Sequence, residues 1–418
     1  VAFFFRAKQI LVLIHSLIPG AYSMTQQREP GLSTLSVHGG EARVKSDYGL
    51  VDPIHCSSTY TFENTAALIA MLEGESEERD EYARYSSPNS RTVEKKLAEL
   101  EGTEDAILCT TGMSALALLF LADLKPGDKL VFFDQCYHRT RQFCFEYLKA
   151  YGVDCVQIPT GDFQALEQAM DGRTRLLFTE LPTNPHLTVI DLERFVQIAK
   201  AYDAATCIDA TLASPVNHLP ARWGVDYIVH SATKYLGGHN DLLAGTIAGS
   251  KARLEPLRKL QGIIGAIAAP HTAWLLQRGL KTLPLRVQQQ NKTGLAVAAF
   301  LNQHKAVKKV YYPGLPTHPS FEQAQKYLSG CGGLISFELK TDREGCARFI
   351  DACRIPRIGP SLGGVESLIE QPAIMSFYKA SEADRLRWGI DSALVRLSLG
   401  IEDTQDLLSD LDQALSRI

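Results

Sequence analysis

The sequence predicts an α/β fold: a large domain on a mainly parallel sheet, a smaller α+β domain at the C-terminus, and an extended N-terminal arm. Four observations lead there. From about residue 85, short strands alternate with helices. The strands are continuous apolar runs, as in "DKLVFFD" and "TRLLFTELP", which suits a parallel sheet covered on both faces. The alternation stops near "LKTLPLRVQQQ" at 280–290. With 418 residues the chain is too long for one simple core, and two or three units of about 100–200 residues are expected.

Residues 1–23 precede Met24 and are read as an extension before the natural start. The stretch is apolar and could be a signal peptide, but Arg6 and Lys8 interrupt it, and it lacks the roughly 20 uninterrupted apolar residues of a membrane span. Residues 24–84 form the arm. "GEARVKSDYGLVDPIHCSSTYTF" is rich in turn formers and has no amphipathic period. Such an arm is expected to cross onto a neighbouring subunit.

The large domain is expected over 85–288. "SRTVEKKLAELEG" has helical spacing and closes on Gly102. "DAILCTT" reads as a strand, "GMSALALLFLADL" as a turn and an apolar helix, and "DKLVFFD" as a strand. "TRQFCFEYLKAYG" reads as a helix and "DCVQIP" as a strand. "TRLLFTELP", "ATCIDA" and "DYIVHSAT" are further strands, with the helix "LERFVQIAKAYD" between the first two. The last domain, 289–418, opens with the helical "QQQNKTGLAVAAFLNQH". "KKVYYP" and "GGLISFELK" follow as strands, with helices at "EGCARFIDAC" and "TQDLLSDLDQALSRI".

Composition excludes some functions. The net charge of −4 gives no electrostatic case for nucleic acid. No other stretch could span a membrane. The nine cysteines contain no C-x-x-C pair and the eleven histidines no H-E-x-x-H, so neither a disulfide frame nor a metal site is expected. Free thiols in apolar runs, such as Cys109 and Cys207, suit a reducing cytoplasm.

Ligands of open α/β sheets bind at the carboxyl ends of the strands. After "DAILCTT" come Gly112, Met113 and Ser114, a turn opening a helix, which offers amides to an anion. After "DKLVFFD" comes Tyr137, an aromatic face. Asn184 follows "TRLLFTELP", and Asp209 ends "ATCIDA". Ser231, Thr233 and Lys234 end "DYIVHSATK". A lysine at the end of a buried strand is costly and is usually kept for chemistry, most often a Schiff base. Taken singly, these are ordinary turns, packing aromatics and caps. His230 reads as a core histidine. Together, an anion cradle, a stacking face, a buried carboxylate and a lysine amine are what pyridoxal phosphate requires.

"HSATKYLGGHNDLLAG", "YARYSSPNSRTVEKKLAELEG", "TTGMSA", "DQCYHRTR", "PTNP", "CIDAT", "PSLGGVESLIEQPAIMS" and "LVRLSLGIED" resemble the Cys/Met-metabolism family of pyridoxal-phosphate enzymes, within fold type I. The resemblance covers almost everything from Leu32 onward. Within the family, the lysine motif and the Pro360–Ser376 stretch look most like the cystathionine γ-synthases, the plant type especially.

The resemblance implies a role for each matching position. Lys234 would bond the cofactor and shuttle protons. Asp209 would pair with its ring nitrogen and Tyr137 would stack on the ring. Gly112, Met113, Ser231 and Thr233 would hold the phosphate. Tyr82 and Arg84 would reach the phosphate in the neighbouring subunit. Arg396 would clamp the substrate α-carboxylate. Asn184 would contact the ring oxygen or that carboxylate, and Ser361 would orient Lys234. Arg141 is a candidate for the substrate's distal anion.

The family's methionine γ-lyases carry a cysteine where this chain has Arg139. Its cystathionine γ-lyases commonly carry a glutamate where this chain has Pro360. The expectation is therefore γ-replacement of an activated homoserine ester by cysteine, in a homotetramer built from dimers with shared sites. A cystathionine γ-lyase or a homoserine-ester sulfhydrylase is the nearest alternative. A non-catalytic homologue with a binding or regulatory role is an alternative of another class.

Overall fold

Seven strands form the sheet that carries the site. They are β1 (Asp105–Cys109), β2 (Lys129–Phe133), β3 (Asp154–Ile158), β4 (Thr174–Glu180), β5 (Ala205–Asp209), β6 (Tyr227–His230) and β7 (Gly245–Gly249). This is a computed structural model describing residues 29–45, 48–75 and 79–418. The expectation for residues 1–23 lies outside the described residues, as does part of the arm. The strand order is β1-β7-β6-β5-β4-β2-β3. The pairs among β2 to β6 are parallel, and the six strands expected from the apolar runs are all present.

β7 departs from expectation. It runs antiparallel to both β1 and β6. "GTIAG" is short and flanked by glycines, so it lacks the long β-branched run that marks a buried strand. Its first glycine is a packing requirement. A Cβ on Gly245 would lie 2.0 Å from the Thr111 carbonyl.

The helices follow their end signals. Pro88–Glu101 starts on Ser87, whose hydroxyl accepts from the Ser90 amide, and ends on Gly102 at φ 67°. Leu192–Ala201 is capped by the Asp191 carboxylate. The helix expected after Tyr137 is shorter than its pattern. It covers His138–Gln142 and then widens into a π turn, Phe143–Leu148.

A second sheet has the order β10-β11-β12-β9-β8. Its strands are β8 (Val307–Tyr311), β9 (Leu334–Leu339), β10 (Arg357–Ile358), β11 (Leu368–Glu370) and β12 (Leu394–Ser398). Only β10 and β11 pair in parallel. The helix Leu283–Gln303 leads into it as one uninterrupted element, and the expected boundary at 288/289 falls inside that helix. Leu32–Ile418 forms one compact unit. In the described part of the arm, Leu32–His38 and Thr65–Leu72 are helical and Thr59 bridges Tyr82.

Candidate active site

A cavity of about 250 Å³ opens at the carboxyl ends of the parallel strands. Gly112, Met113, Tyr137, Asn184, Asp209, Ser231, Thr233, Lys234 and Arg396 all line it. Nine separately expected residues thus meet on one surface.

One end of the cavity is the N-terminus of the helix Gly112–Asp123. Thr111 caps it, accepting from the Ser114 amide at 3.0 Å. The Ala115 amide returns to the Thr111 carbonyl. That leaves Gly112 and Met113, both in the wall, as first-turn amides for an anion. Gly112 has no room for a side chain, because a Cβ would lie 2.8 Å from Ser231 Cβ. The absent Cβ lets the helix end approach the Ser231 backbone. The Ser231 amide is held by Thr211 Oγ1 at 2.8 Å. The Thr233 hydroxyl bonds across to Ala244.

Asp209 also lines the cavity, at the end of β5. Its Oδ1 accepts from the Thr211 hydroxyl at 2.5 Å and the Thr211 amide at 3.0 Å. Burial raises its pKa, against those two hydrogen bonds and His230. Glu180 stands beside it in register on β4 and also lines the cavity. Burial, and then the neighbouring Asp209, push the Glu180 carboxyl well above the usual range. Its Oε1 accepts the Tyr137 amide at 2.6 Å, which fixes the base of that ring. His230 is buried, with Nε2 on Glu101 Oε1 at 2.6 Å, in keeping with a core histidine.

Lys234 extends from the turn after β6. Its Nζ donates to Ser361 Oγ at 2.8 Å. Burial, with Arg396 nearby and only Glu370 opposing, lowers the amine to about 8. Arg396 on β12 is buried. Its Nη2 is 3.0 Å from Glu370 Oε1, and Nη1 reaches Asn184 Oδ1 at 3.5 Å.

Three expected residues stand elsewhere. The Arg141 guanidinium donates to the Asp134 carbonyl at 2.8 Å and lies 5.1 Å from the centre of the Trp388 ring. It does not line this cavity. Arg139 instead lines an adjoining cavity of about 290 Å³, with Pro360, Glu370 and Phe377. Tyr82 and Arg84 are on the arm. Arg84 donates to the Gly262 carbonyl and packs over Tyr82 and Tyr85.

Sequence reasoning missed Glu180, Thr211 and Glu370. The first two were within reach. Glu180 ends a strand as Asp209 does, and Thr211 follows Asp209 by two residues. Glu370 gave no signal until β11 was laid beside β12.

Residues 33–416 match the model of the Cys/Met metabolism PLP-dependent enzymes. The chain belongs to this family. It is similar to cystathionine γ-synthase 1, chloroplastic, from Arabidopsis thaliana, 41% identical over 96% of this chain and 72% of that one. It is also similar to L-methionine γ-lyase from Pseudomonas putida, 36% identical over 92% of this chain and 97% of that one. The solved cystathionine γ-lyase from Lactobacillus plantarum, complexed with L-serine, superposes with a TM-score of 0.86 at 34% identity. That match covers 93% of this chain and 99% of the other. The fold is therefore fold type I, the chain is an enzyme, and its cofactor is pyridoxal 5′-phosphate. The cavity fits that group. Its wall offers amides and hydroxyls at the cradle that Gly112 keeps open, a buried carboxylate, an aromatic ring, and a lysine amine whose pKa is lowered to about 8.

Proposed function

We propose that the enzyme replaces the γ-substituent of an activated homoserine ester with the sulfur of cysteine, giving cystathionine. The wall of the adjoining cavity carries this reading. Arg139 and Pro360 both line it, at the positions where the family's methionine γ-lyases have cysteine and its cystathionine γ-lyases have glutamate. The likeness to a plant cystathionine γ-synthase supports the same choice.

In this reading, Gly112, Met113, Ser231 and Thr233 hold the cofactor phosphate. Tyr137 covers the ring, and Asp209 keeps the ring nitrogen protonated. Bound pyridoxal phosphate supplies an electron sink for the charge left at the substrate α-carbon. Arg396 clamps the α-carboxylate, with Asn184 beside it; a guanidinium carries several donors in a fixed fork, where an ammonium is a single point charge. The Lys234 amine takes the proton from Cα and then one from Cβ. Its low pKa suits both taking and returning a proton near neutral pH. Ser361 holds that amine between the two carbons. Tyr82 and Arg84 serve the phosphate of a neighbouring subunit, in a tetramer built from two dimers. Nine free cysteines suit a reducing compartment, the cytoplasm or a plastid like that of the Arabidopsis relative. No described helix is long and apolar enough to cross a membrane.

The test is a product assay with cysteine and the O-succinyl, O-phospho and O-acetyl esters of homoserine in parallel. Cystathionine should form from an anionic ester faster than the enzyme degrades it. Faster breakdown would move the chain to the lyases, a second reading favoured by the Lactobacillus and Pseudomonas relatives. The sequence pointed to Arg141 for the distal anion, but the cavity wall favours Arg139. A charge-assisted contact contributes about 1.5–3 kcal/mol, so Arg139→Ala should lower kcat/KM on anionic esters roughly ten- to a hundredfold. It should spare O-acetylhomoserine. Arg141→Ala, which loses a contact with Trp388, should affect all three esters alike.

A further inference from the structure

Arg396 is ion-paired before any substrate enters. Glu370 and Arg396 are direct neighbours across β11 and β12, and Nη2 lies 3.0 Å from Glu370 Oε1. The residues are 2% and 6% exposed. A guanidinium buried this deeply needs a counter-charge, and Glu370 supplies it in the ligand-free fold. Nη2 also donates to the carbonyls of Pro360 at 3.2 Å and Ser361 at 3.4 Å. Nη1 makes only a long contact with Asn184, at 3.5 Å. Asn184 and Arg396 line both cavities, so Nη1 is the donor open to an incoming carboxylate.

A carboxylate docked at Nη1 would put two negative charges on one buried cation. Glu370 borders the adjoining cavity yet is only 2% exposed, so water does little to solvate its carboxylate. Among the described residues its Oε2 is buried without a hydrogen-bond partner, and the Oε1 side is committed to Arg396. We propose that Glu370 is the resident counter-ion of Arg396, and that it takes a proton at Oε2 when a substrate α-carboxylate occupies Nη1. This rests on reading Arg396 as the carboxylate clamp. Glu370 is thereby a positioning residue that fixes which edge of the guanidinium faces the substrate and makes carboxylate binding proton-linked.

Burial already pushes the Glu370 carboxyl above its ordinary range, against the opposing pull of Arg396 and Lys234. A second carboxylate acts in the same direction as burial. The other titratable or charged groups around this cavity are Cys136, Tyr137, His138 and Arg139. Burial lowers the pKa of His138. A proton taken by His138, or at the bond between Lys234 and the cofactor, would persist after Glu370 is replaced.

Butyrate is a suitable probe, since it has the carboxylate but no amine to react with the cofactor. Calorimetric titration of the holoenzyme near pH 7, in two buffers of different ionisation enthalpy, should show uptake of about one proton per butyrate bound. Glu370→Gln should bind butyrate several-fold more tightly, without that uptake, and with an affinity that no longer strengthens as pH falls. Binding that depends on Arg396 but takes up no proton in the wild type overturns the proposal, whether or not the glutamine variant folds. So does uptake that survives in Glu370→Gln. Butyrate binding unchanged in Arg396→Ala would instead overturn the clamp reading on which the proposal rests.

Discussion

Lys234 shows how far a single residue can be read. Its position after an apolar strand marks it as a costly charge. The structure adds that burial and Arg396 lower the amine to about 8. A neutral amine is the form that bonds an aldehyde, and lysine is neutral above its pKa. Cofactor-free enzyme should therefore reload faster as pH rises, by about tenfold per unit below 8, and level off above it. Stopped-flow absorbance at the cofactor band would follow this. A rate still climbing toward 10 would mean that the amine is not depressed. The place of Asp209 and Tyr137 on the cavity wall was legible as that of Lys234 was, from their position at strand ends. Glu370 was not, because its meaning comes from lying directly opposite Arg396 on the adjacent strand, a pairing no local pattern encodes.

Among elements, the neighbouring strands β4 and β5 place two carboxylates side by side. Glu180 and Asp209 are in register and buried, and two such groups cannot both be charged at low cost. Burial raises both carboxyls, and Asp209 pushes Glu180 in the same direction; if Asp209 carries the charge, as its proposed role beside the cofactor ring requires, Glu180 holds the proton. Glu180→Gln imitates the protonated acid and should hold kcat within about twofold. Glu180→Ala removes the anchor of the Tyr137 amide and should release cofactor more readily.

The sign of the linkage is fixed. A carboxyl whose pKa is raised by folding contributes fully below its unfolded pKa and loses that contribution as pH rises through the folded one. The Tm advantage of Glu180→Gln over wild type should therefore grow from pH 5 to pH 8. Equal inactivation by Gln and Ala would show that the ionised acid is required. The six parallel strands could be read because buried strands are unbroken apolar runs. β7 could not, since three residues between two glycines carry no period, and the π turn at Phe143–Leu148 keeps the apolar spacing of an ordinary helix.

At the scale of the whole molecule, Tyr82 and Arg84 sit on an arm and do not line this chain's own cavity. If they serve a neighbour, subunits inactivated by Arg84→Ala and by Lys234→Ala should complement. Each hybrid dimer would contain one site with both residues intact, so mixing by unfolding and refolding should restore part of the activity. Hybrids demonstrated by mass that stay inactive would return Arg84 to its own subunit. The arm's composition suggested an excursion from the sheet, but no pattern within one chain specifies the partner it meets.

The central claim is that the strand-end cavity is the cofactor site and that Lys234 bonds the cofactor there. Borohydride reduction of the yellow holoenzyme, followed by peptide mapping, tests it most directly. The account predicts loss of the visible band and a reduced pyridoxyl adduct on Lys234, in the peptide containing Tyr235 and Leu236. An adduct on any other lysine, or a Lys234→Ala protein that keeps the band and the label, would contradict it.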